Sequence, residues 1–186
     1  MIDRFIEQCR TVATDSRALR ELVAELVSEA PALAAALPEP AGAGFEVLYR
    51  APDLTVLNFA WAPWMCFKPH NHCMASVVGI FSGREDNVFW RRVPGTRRVP
   101  GSIEAAGAQT LGPGDVTTLG RDIIHSVVNP IGRMTRAIHV YGGDFFAPPR
   151  PRSEWDHETL VERPWDIDHT RRMFAEAEAR AHATSG

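Results

Sequence analysis

Two histidines separated by a single residue are the sharpest chemical feature of this chain. They lie in Pro69-His70-Asn71-His72, within a short segment whose pattern predicts a β-strand. Because successive side chains on a strand point to opposite faces, His70 and His72 share one face and Asn71 points away. Two imidazoles on one face can bind the same metal ion. On its own, however, a His-x-His pattern is more often two surface or packing residues.

A third histidine has the spacing to complete such a site. Gly114-Asp115 predicts a turn into a short hairpin, His125 follows on the returning strand, and Asn129 lies four residues further on. This arrangement would carry the imidazole of His125 across a β-barrel toward the first two. The sequence therefore predicts a metal site with three histidines. Imidazole suits iron, copper, nickel and zinc alike, so the ligand type leaves the metal open.

The segments around these histidines are predominantly β. Short apolar or alternating runs separated by turn residues predict strands at 45–50, 54–62, 66–70, 73–82, 86–93, 109–112, 115–119, 123–129 and 134–141. No helical crossover separates them, which indicates an antiparallel sandwich or barrel. The repeated Arg-Arg-Val-Pro at 91–94 and 97–100 predicts the two sides of one hairpin.

Helical segments flank the β region. Apolar residues at three- and four-residue spacing predict helix over most of 2–36, with Asp15 or Ser16 capping a second helix. Residues 147–152 predict an extended connector, and helical spacing returns at 165–182. We therefore predict a single domain over 1–186, with an N-terminal helical segment at 1–40, a β-barrel core at 45–145 and a C-terminal extension at 146–186.

Composition and charge restrict the class of protein. Hydrophobic residues make up 45% and charged residues 23% of the 186 residues, which is typical of a globular protein. The net charge of −3 favours neither nucleic acid nor an anionic membrane, so we expect neither as a partner. We expect the protein to be a monomer or a small homo-oligomer. Cys9, Cys66 and Cys73 show no paired spacing, and the N-terminus lacks the apolar stretch of a signal peptide. Both features predict a cytoplasmic protein.

The two histidine segments together resemble the signature motifs of the cupin superfamily. They are HNHCMASVVGIFSG, from 70 to 83, and GDVTTLGRDIIHSVVN, from 114 to 129. The first family motif has His-x-His, then a glutamate and a glycine, and the second has Gly-Asp, His and Asn. The resemblance implies a mainly β cupin double-stranded β-helix (a jelly-roll barrel), with N-terminal helices and a C-terminal helix packed on it. Ser76 and Val77 stand where the family has its glutamate, so the site would hold three neutral histidines.

A further segment is similar to the thiol dioxygenases of the cysteine dioxygenase type. Ala137-Ile-His139-Val-Tyr141 places His139 and Tyr141 on one face of a strand. That family pairs an iron bound by three histidines with a Ser-x-His-x-Tyr strand. The resemblance implies Fe(II) bound by His70, His72 and His125, with His139 and Tyr141 as an outer-sphere catalytic pair.

This chain departs from that family at three positions. Ala137 replaces the serine, and Val77 occupies the position of the cysteine that is crosslinked in the animal enzymes. The family's substrate-binding arginine has an approximate counterpart in Arg50, at the end of the first predicted strand. Lys68 has the same parity as His70 and is a second cation that could face the mouth of the pocket.

The predicted function is that of an iron-dependent thiol dioxygenase. It would oxidise a small thiol, similar to cysteine or 3-mercaptopropionate, to its sulfinic acid with O₂. Tyr141 would donate a hydrogen bond to oxygen or to the substrate's polar head, His139 would orient it, and Arg50 would hold a carboxylate. Two alternatives stay open: a non-catalytic metal-binding cupin that binds or senses a small molecule, and a cupin dioxygenase that acts on a carbon substrate.

Overall fold

The computed structural model describes residues 1–95 and 102–184. Three helices, α1 (Ile2–Thr11), α2 (Ser16–Ser28) and α3 (Ala30–Ala36), precede the strands, and α4 (Ile167–Thr184) follows them. Asp15 caps α2, because its carboxylate accepts hydrogen bonds from the backbone N–H groups of Arg17 and Ala18. None of the helices in these ranges is long and apolar enough to cross a membrane.

The β region consists of two antiparallel sheets. Its strands within the described residues are β1 (Gly44–Arg50), β2 (Thr55–Trp61), β3 (Cys66–Asn71), β4 (Ser76–Ser82), β5 (Glu85–Val93), β6 (Ser102–Leu111), β7 (Val116–Leu119), β8 (Ile124–Val128), β9 (Thr135–Tyr141), β10 (Ser153–Trp155) and β11 (Glu162–Pro164). The first sheet has the order β1-β2-β9-β4-β7, and the second has the order β11-β10-β3-β8-β5-β6.

The order of strands shows how the chain winds. Strands that are distant in the sequence pair with each other, as β2 does with β9 and β3 with β8, because the chain passes repeatedly from one sheet to the other. Two facing antiparallel sheets wound in this way form the double-stranded β-helix of cupins. The predicted jelly-roll fold is therefore confirmed.

Apolar side chains cover both faces of the first sheet. Leu57, Phe59 and Trp61 of β2 point into the space between the sheets and belong to the main core. Val56, just before them, faces the other way and packs against the N-terminal helices, among them Val23 of α2. With helices on one face and the second sheet on the other, every residue of β2 and β9 is buried.

The C-terminal extension closes one end of the space between the sheets. β10 pairs with β3, where Glu154 lies opposite His70, and β11 pairs with β10. α4 then places Phe174 and Ala177 in the core that Phe59 and Trp61 share. Residues beyond 145 therefore form part of the wall around the histidines.

Most predicted strands are present at closely similar positions, and the exceptions have local causes. β4 begins at Ser76 because Cys73, with a φ of 57°, turns the chain just before it. β6 begins at Ser102, well before the predicted 109. The sequence did not indicate its first half, because small residues without alternation stand there. The short strands β10 and β11 were not predicted. The first Arg-Arg-Val-Pro copy ends β5, whereas the second, at 97–100, lies outside the described residues.

The close contact between α2 and β4 depends on Gly79. A Cβ atom at this position would lie 2.5 Å from Cγ1 of Val23 and 2.8 Å from Cγ1 of Val27. We expect Gly79→Ala to lower the free energy of unfolding by about 1–3 kcal/mol, because the helix must move away from the sheet. Gly107→Ala is the control: no atom lies within 4 Å of its Cβ position, and a change below about 0.5 kcal/mol is expected in urea unfolding. Equal stability of the two variants would contradict this account.

Candidate metal centre

The three predicted histidines converge between the sheets. His70 lies on β3 and His125 directly opposite it on β8, while His72 follows the end of β3. All three side chains are buried, and one ligand nitrogen from each lies within 4.8 Å of the others. Strand alternation on β3 and the pairing of β3 with β8 are therefore enough to bring the cluster together. The cluster could hold a metal ion.

Two of the rings are oriented by acceptors behind them. Nδ1 of His70 is 3.0 Å from the carbonyl oxygen of Lys68, and Nδ1 of His125 is 2.7 Å from Oδ1 of Asn87. Both partners can only accept, so each Nδ1 carries a proton and donates it. The lone pair of each ring is then on Nε2. Hydrogen bonds of this kind fix the tautomer of metal-binding histidines.

The third ring completes a geometry that fits a metal ion. Nε2 of His72 lies 3.0 Å from Nε2 of His125, and its Nδ1 has no hydrogen-bond partner among the described residues. Two nitrogens bound about 2.1 Å from one ion at right angles would be about 3.0 Å apart. The spacing of His72 and His125 is therefore that of neighbouring ligands on one ion.

The histidines of the cluster are held in their neutral form. Burial and the neighbouring rings place the pKa values of His70 and His72 well below 6.5, and burial lowers the pKa of His125 to about 4. A neutral imidazole is the form that binds metals, so no proton has to be displaced from these rings at neutral pH.

No carboxylate belongs to the cluster in the part of the chain that the structure describes. Ser76 and Val77, where the cupin glutamate would stand, lie on β4, and Val77 packs against the N-terminal helices. Glu85 is fully buried on β5, but its carboxyl group accepts a hydrogen bond from Asn87 and does not belong to the histidine cluster. Burial raises the pKa of its carboxyl group to about 7.

The cluster opens into a small, largely aromatic cavity. The space inside it that a water-sized sphere can occupy is about 20 Å³, which is room for little more than one water molecule. The polar groups of its wall are the histidines, Tyr141 and Thr170, and the rest is apolar. Trp165, Thr170 and Phe174 come from the C-terminal extension, so this segment forms one side of the cavity.

His139 and Tyr141 lie side by side on the cavity wall. Nδ1 of His139 is 3.1 Å from the hydroxyl oxygen of Tyr141, whose ring is 5.1 Å from that of His72 between centroids. Nε2 of His139 is buried and has no partner within the described ranges. A buried lone pair without a partner is tolerated better than a buried N–H, so we assign the proton of His139 to Nδ1. Nδ1 then donates to Tyr141, which leaves the phenol hydrogen free to point into the cavity.

The predicted cation, Arg50, lies outside this cavity. Its side chain is 48% exposed, and its Nε and Nη2 donate to the two carboxylate oxygens of Asp144 at 2.9 and 2.8 Å. It is not among the residues that line the histidine cavity. The last residue of β1 turns its side chain toward the loop after β9, away from the core. The predicted role of Arg50 in substrate binding therefore does not fit its position.

A different arginine lies next to the cavity. Arg152 is only 7% exposed, and its guanidinium carbon is 4.3 Å from the ring centre of Phe145 and 4.5 Å from that of Trp165. Its Nε and Nη1 have no hydrogen-bond partner in residues 1–95 and 102–184. Burial lowers its pKa to about 10, so the group keeps its charge at neutral pH. Its charge also contributes to the lowered pKa values of His70 and His72.

Lys68 does not face the pocket mouth, contrary to its parity in the sequence. The register between β3 and β8 shifts between Phe67 and His70, so Phe67 lines the cavity instead. Lys68 is 3% exposed, and its Nζ lies 2.6 Å from Oε2 of Glu154 and 2.7 Å from Nδ1 of His169. The lysine therefore joins β3 to the C-terminal extension.

Sequence reasoning missed three groups of this site. Arg152 lies in a segment rich in proline and arginine, which carries no signal for an inward side chain. Asn87 was inside a predicted strand, and its even spacing from Glu85 and Phe89 would have indicated a shared inward face. Trp165 stands at the start of the predicted helical stretch 165–182, but only the tertiary structure places it against His70, at 5.4 Å between ring centres.

Comparison with known proteins finds only distant structural similarity. No protein-family model matches the chain, and no curated protein matches it either. The cupin domain of Cnp3 from Schizosaccharomyces pombe is similar in structure, with 12% identity and a TM-score of 0.44 over 55% of this chain and 61% of that domain. A double-stranded β-helix protein from Klebsiella pneumoniae shows 13% identity and a TM-score of 0.44, over 63% of this chain and 83% of that one.

One of the similar structures is an enzyme by name. DMSP lyase DddQ from Ruegeria pomeroyi shows 14% identity and a TM-score of 0.44, over 60% of this chain and 50% of that one. This chain thus spans less than two thirds of DddQ and of the Cnp3 domain. At such values the comparisons bear on no residue of the site, and the strand pairing described above defines the fold.

Removal of one histidine tests the candidate metal centre. We expect His125→Ala to abolish stoichiometric binding of Fe(II) added without oxygen, because one of three ligands and the opposite partner of His70 are lost. Wild-type protein should be stabilised by about 2.7 kcal/mol at a hundredfold excess of metal over its Kd, and the variant should not be. His182→Ala, at an exposed position on α4, is the control. Elemental analysis after desalting and thermal unfolding measure both effects, and iron retained by His125→Ala would refute the assignment.

Proposed function

We propose that this chain is an iron-dependent thiol dioxygenase that converts a small thiol to its sulfinic acid. The observation that carries the proposal is the cluster of three neutral, buried imidazoles, which faces an aromatic cavity beside a tyrosine hydroxyl and includes no carboxylate from residues 1–95 and 102–184. His70, His72 and His125 would hold the metal. The overall reaction adds both atoms of O₂ to a thiolate and gives a sulfinate, so it balances without an external reductant.

The ligand set determines what the metal would offer to a substrate. Fe(II) bound by three neutral ligands keeps its full positive charge and open coordination positions, so it would favour a thiolate and bring O₂ beside it. Burial keeps the three histidines neutral, so each ring has a lone pair available for the metal.

Tyr141 is the proposed hydrogen-bond donor to the reacting groups. The Nδ1–H of His139 would occupy one lone pair of the phenol oxygen and turn its hydrogen toward the cavity. Burial raises the pKa of Tyr141 above its usual value, so the phenol stays protonated and can donate. Its ring also packs against Phe145, with 4.6 Å between centroids, which fixes its direction.

The cavity suits a small substrate. Its volume is small, and Trp61, Phe59 and Phe174 form a stacked wall that excludes water. A bulky aromatic carbon substrate would need rearrangement of this wall. Even a short thiol would need the side chains of this wall to move apart, but by less than a larger carbon substrate would, so the size of the cavity favours the short thiol.

Oxygen uptake tests the proposed activity. We expect the iron-loaded protein to consume O₂ with at least one of cysteine, 3-mercaptopropionate and cysteamine, with one sulfinate formed per O₂. Tyr141→Phe should retain iron and turn over about 10- to 100-fold more slowly, because a donor beside the metal is lost. Mass spectrometry of the product with ¹⁸O₂ measures the reaction. Bound iron without O₂ uptake would contradict the proposal and favour a non-catalytic metal-binding cupin, and uptake only with a carbon substrate would favour the other alternative.

Arg152 is the proposed partner of a substrate carboxylate, in place of Arg50. A buried guanidinium without a paired acid is rare, and an incoming carboxylate would supply the missing acceptor. We expect Arg152→Gln to raise KM for 3-mercaptopropionate by about 10- to 100-fold and to change KM for cysteamine, which has no carboxylate, much less.

Two further variants make this comparison specific. Arg152→Lys keeps the charge but loses the planar fork, so its KM should lie between those of wild type and Arg152→Gln. Arg50→Gln breaks only the exposed pair with Asp144 and should change KM by less than about twofold. A large effect of Arg50→Gln together with a small effect of Arg152→Gln would reverse the assignment.

A further inference from the structure

Two buried polar residues of β5 form a chain that ends on the metal cluster. Glu85 and Asn87 are 0% and 1% exposed, and both point into the core from alternate positions of the strand. Nδ2 of Asn87 donates to Oε1 of Glu85 at 2.9 Å. Oδ1 of the same amide accepts from Nδ1 of His125 at 2.7 Å. Asn87 reaches this ring diagonally, because it lies opposite Val127 on the neighbouring strand β8.

The amide of Asn87 can lie in one of two orientations, and they have opposite consequences for His125. With Oδ1 toward the ring, Nδ1 must carry the proton, and the lone pair of Nε2 faces the other histidines. With the amide reversed, its NH₂ group would face the ring, so Nδ1 would have to accept. The ring proton would then sit on Nε2, inside the cluster, where it would block metal binding.

Glu85 determines which orientation is adopted. An ionised carboxylate has no hydrogen to donate, and a neutral carboxyl group still presents its carbonyl oxygen as an acceptor, so the NH₂ group of Asn87 faces Oε1 of Glu85. Burial raises the pKa of Glu85, whereas the amide of Asn87 and the nearby indole of Trp61 lower it. The indole does not reach hydrogen-bond geometry, but both groups favour a carboxyl oxygen of Glu85 as an acceptor. Glu85 therefore sets the direction of both hydrogen bonds, the one from Asn87 to Glu85 and the one from His125 to Asn87.

We propose that Glu85 and Asn87 are positioning residues for the metal centre, which select the Nδ1–H tautomer of His125 and so present its Nε2 to the ion. This inference rests on the proposed function to the extent that His125 is taken as a metal ligand. It adds two residues that touch neither the ion nor the substrate. A purely structural role would require only that Glu85 and Asn87 satisfy each other, without any effect on the ring.

A swap of the two side-chain types separates these roles. Asn87→Leu removes the acceptor of His125 and keeps the number and branching of the side-chain heavy atoms. The double variant Glu85→Gln with Asn87→Asp restores it, because the new carboxylate accepts from Nδ1 of His125 and from the new amide at 85. Glu85→Gln alone leaves two amides in contact, either of which can reverse. Asn58→Leu, the same change at a buried asparagine of β2 outside the cavity, is the control for loss of a buried amide.

The tautomer of His125 is measured first, in metal-free protein, from the ¹⁵N chemical shifts of its ring nitrogens. We expect wild type, Asn58→Leu and the double variant to show a protonated Nδ1 and an unprotonated Nε2. Asn87→Leu and Glu85→Gln should show a mixture of tautomers. A wild-type tautomer in folded Asn87→Leu, or in Glu85→Gln, would overturn the role of the residue concerned, as would a mixture in the folded double variant.

Affinity for Co(II) is measured second, by competition with a chelating dye, with folding checked by circular dichroism. Asn87→Leu should bind about 10- to 100-fold more weakly than wild type, Glu85→Gln should lie between the two, and the double variant should recover wild-type affinity to within about twofold. An unchanged affinity in Asn87→Leu would overturn the inference. Normal Co(II) binding without thiol oxidation by the iron form would contradict the proposed function alone, since the tautomer and affinity results do not depend on turnover.

Discussion

Three imidazoles packed against one another in a water-poor space impose the main constraint on this structure. None of them can stay charged there, and two of the three rings have an acceptor for the nitrogen that faces away from the cluster. The backbone carbonyl of Lys68 serves His70, and the side chain of Asn87 serves His125. Asn87 inside β5 follows from this requirement, because an apolar side chain at that position would supply no acceptor to His125.

The C-terminal extension is bound to the strand that carries His70 and leads directly into His72. Glu154 of β10 lies opposite His70, and its carboxylate pairs with the buried ammonium of Lys68. A buried pair of this kind adds little net stability, but the loss of either partner would leave an uncompensated charge, so it fixes where the extension docks. Trp165 and Arg152 are thereby held against the cavity. The extension is thus part of the site, and its position depends on the geometry of β3.

The sequence predicted the histidine cluster and most strands because both follow from local alternation. His70, His72 and His125 needed only strand parity and a hairpin to meet. The errors arise where tertiary structure overrides local pattern. A register shift turned Lys68 away from its expected side. Arg50 pairs with Asp144, which lies 94 residues further along the chain, so no local pattern indicates the contact. Arg152 is placed by the docking of the extension, which no periodicity in residues 147–152 encodes.

The charge around the cavity suggests which ligands it would discriminate between. Within the described residues its wall carries no acid, Arg152 lies beside it as a cation, and a divalent metal on three neutral imidazoles would add two more positive charges. In a space with little water these charges attract anions far more strongly than at a surface. A ligand with both a thiolate and a carboxylate would neutralise most of this charge. An aminothiol would bring its own positive charge toward Arg152. The same electrostatics that keep the histidines neutral would therefore favour a mercapto-carboxylate over an amine.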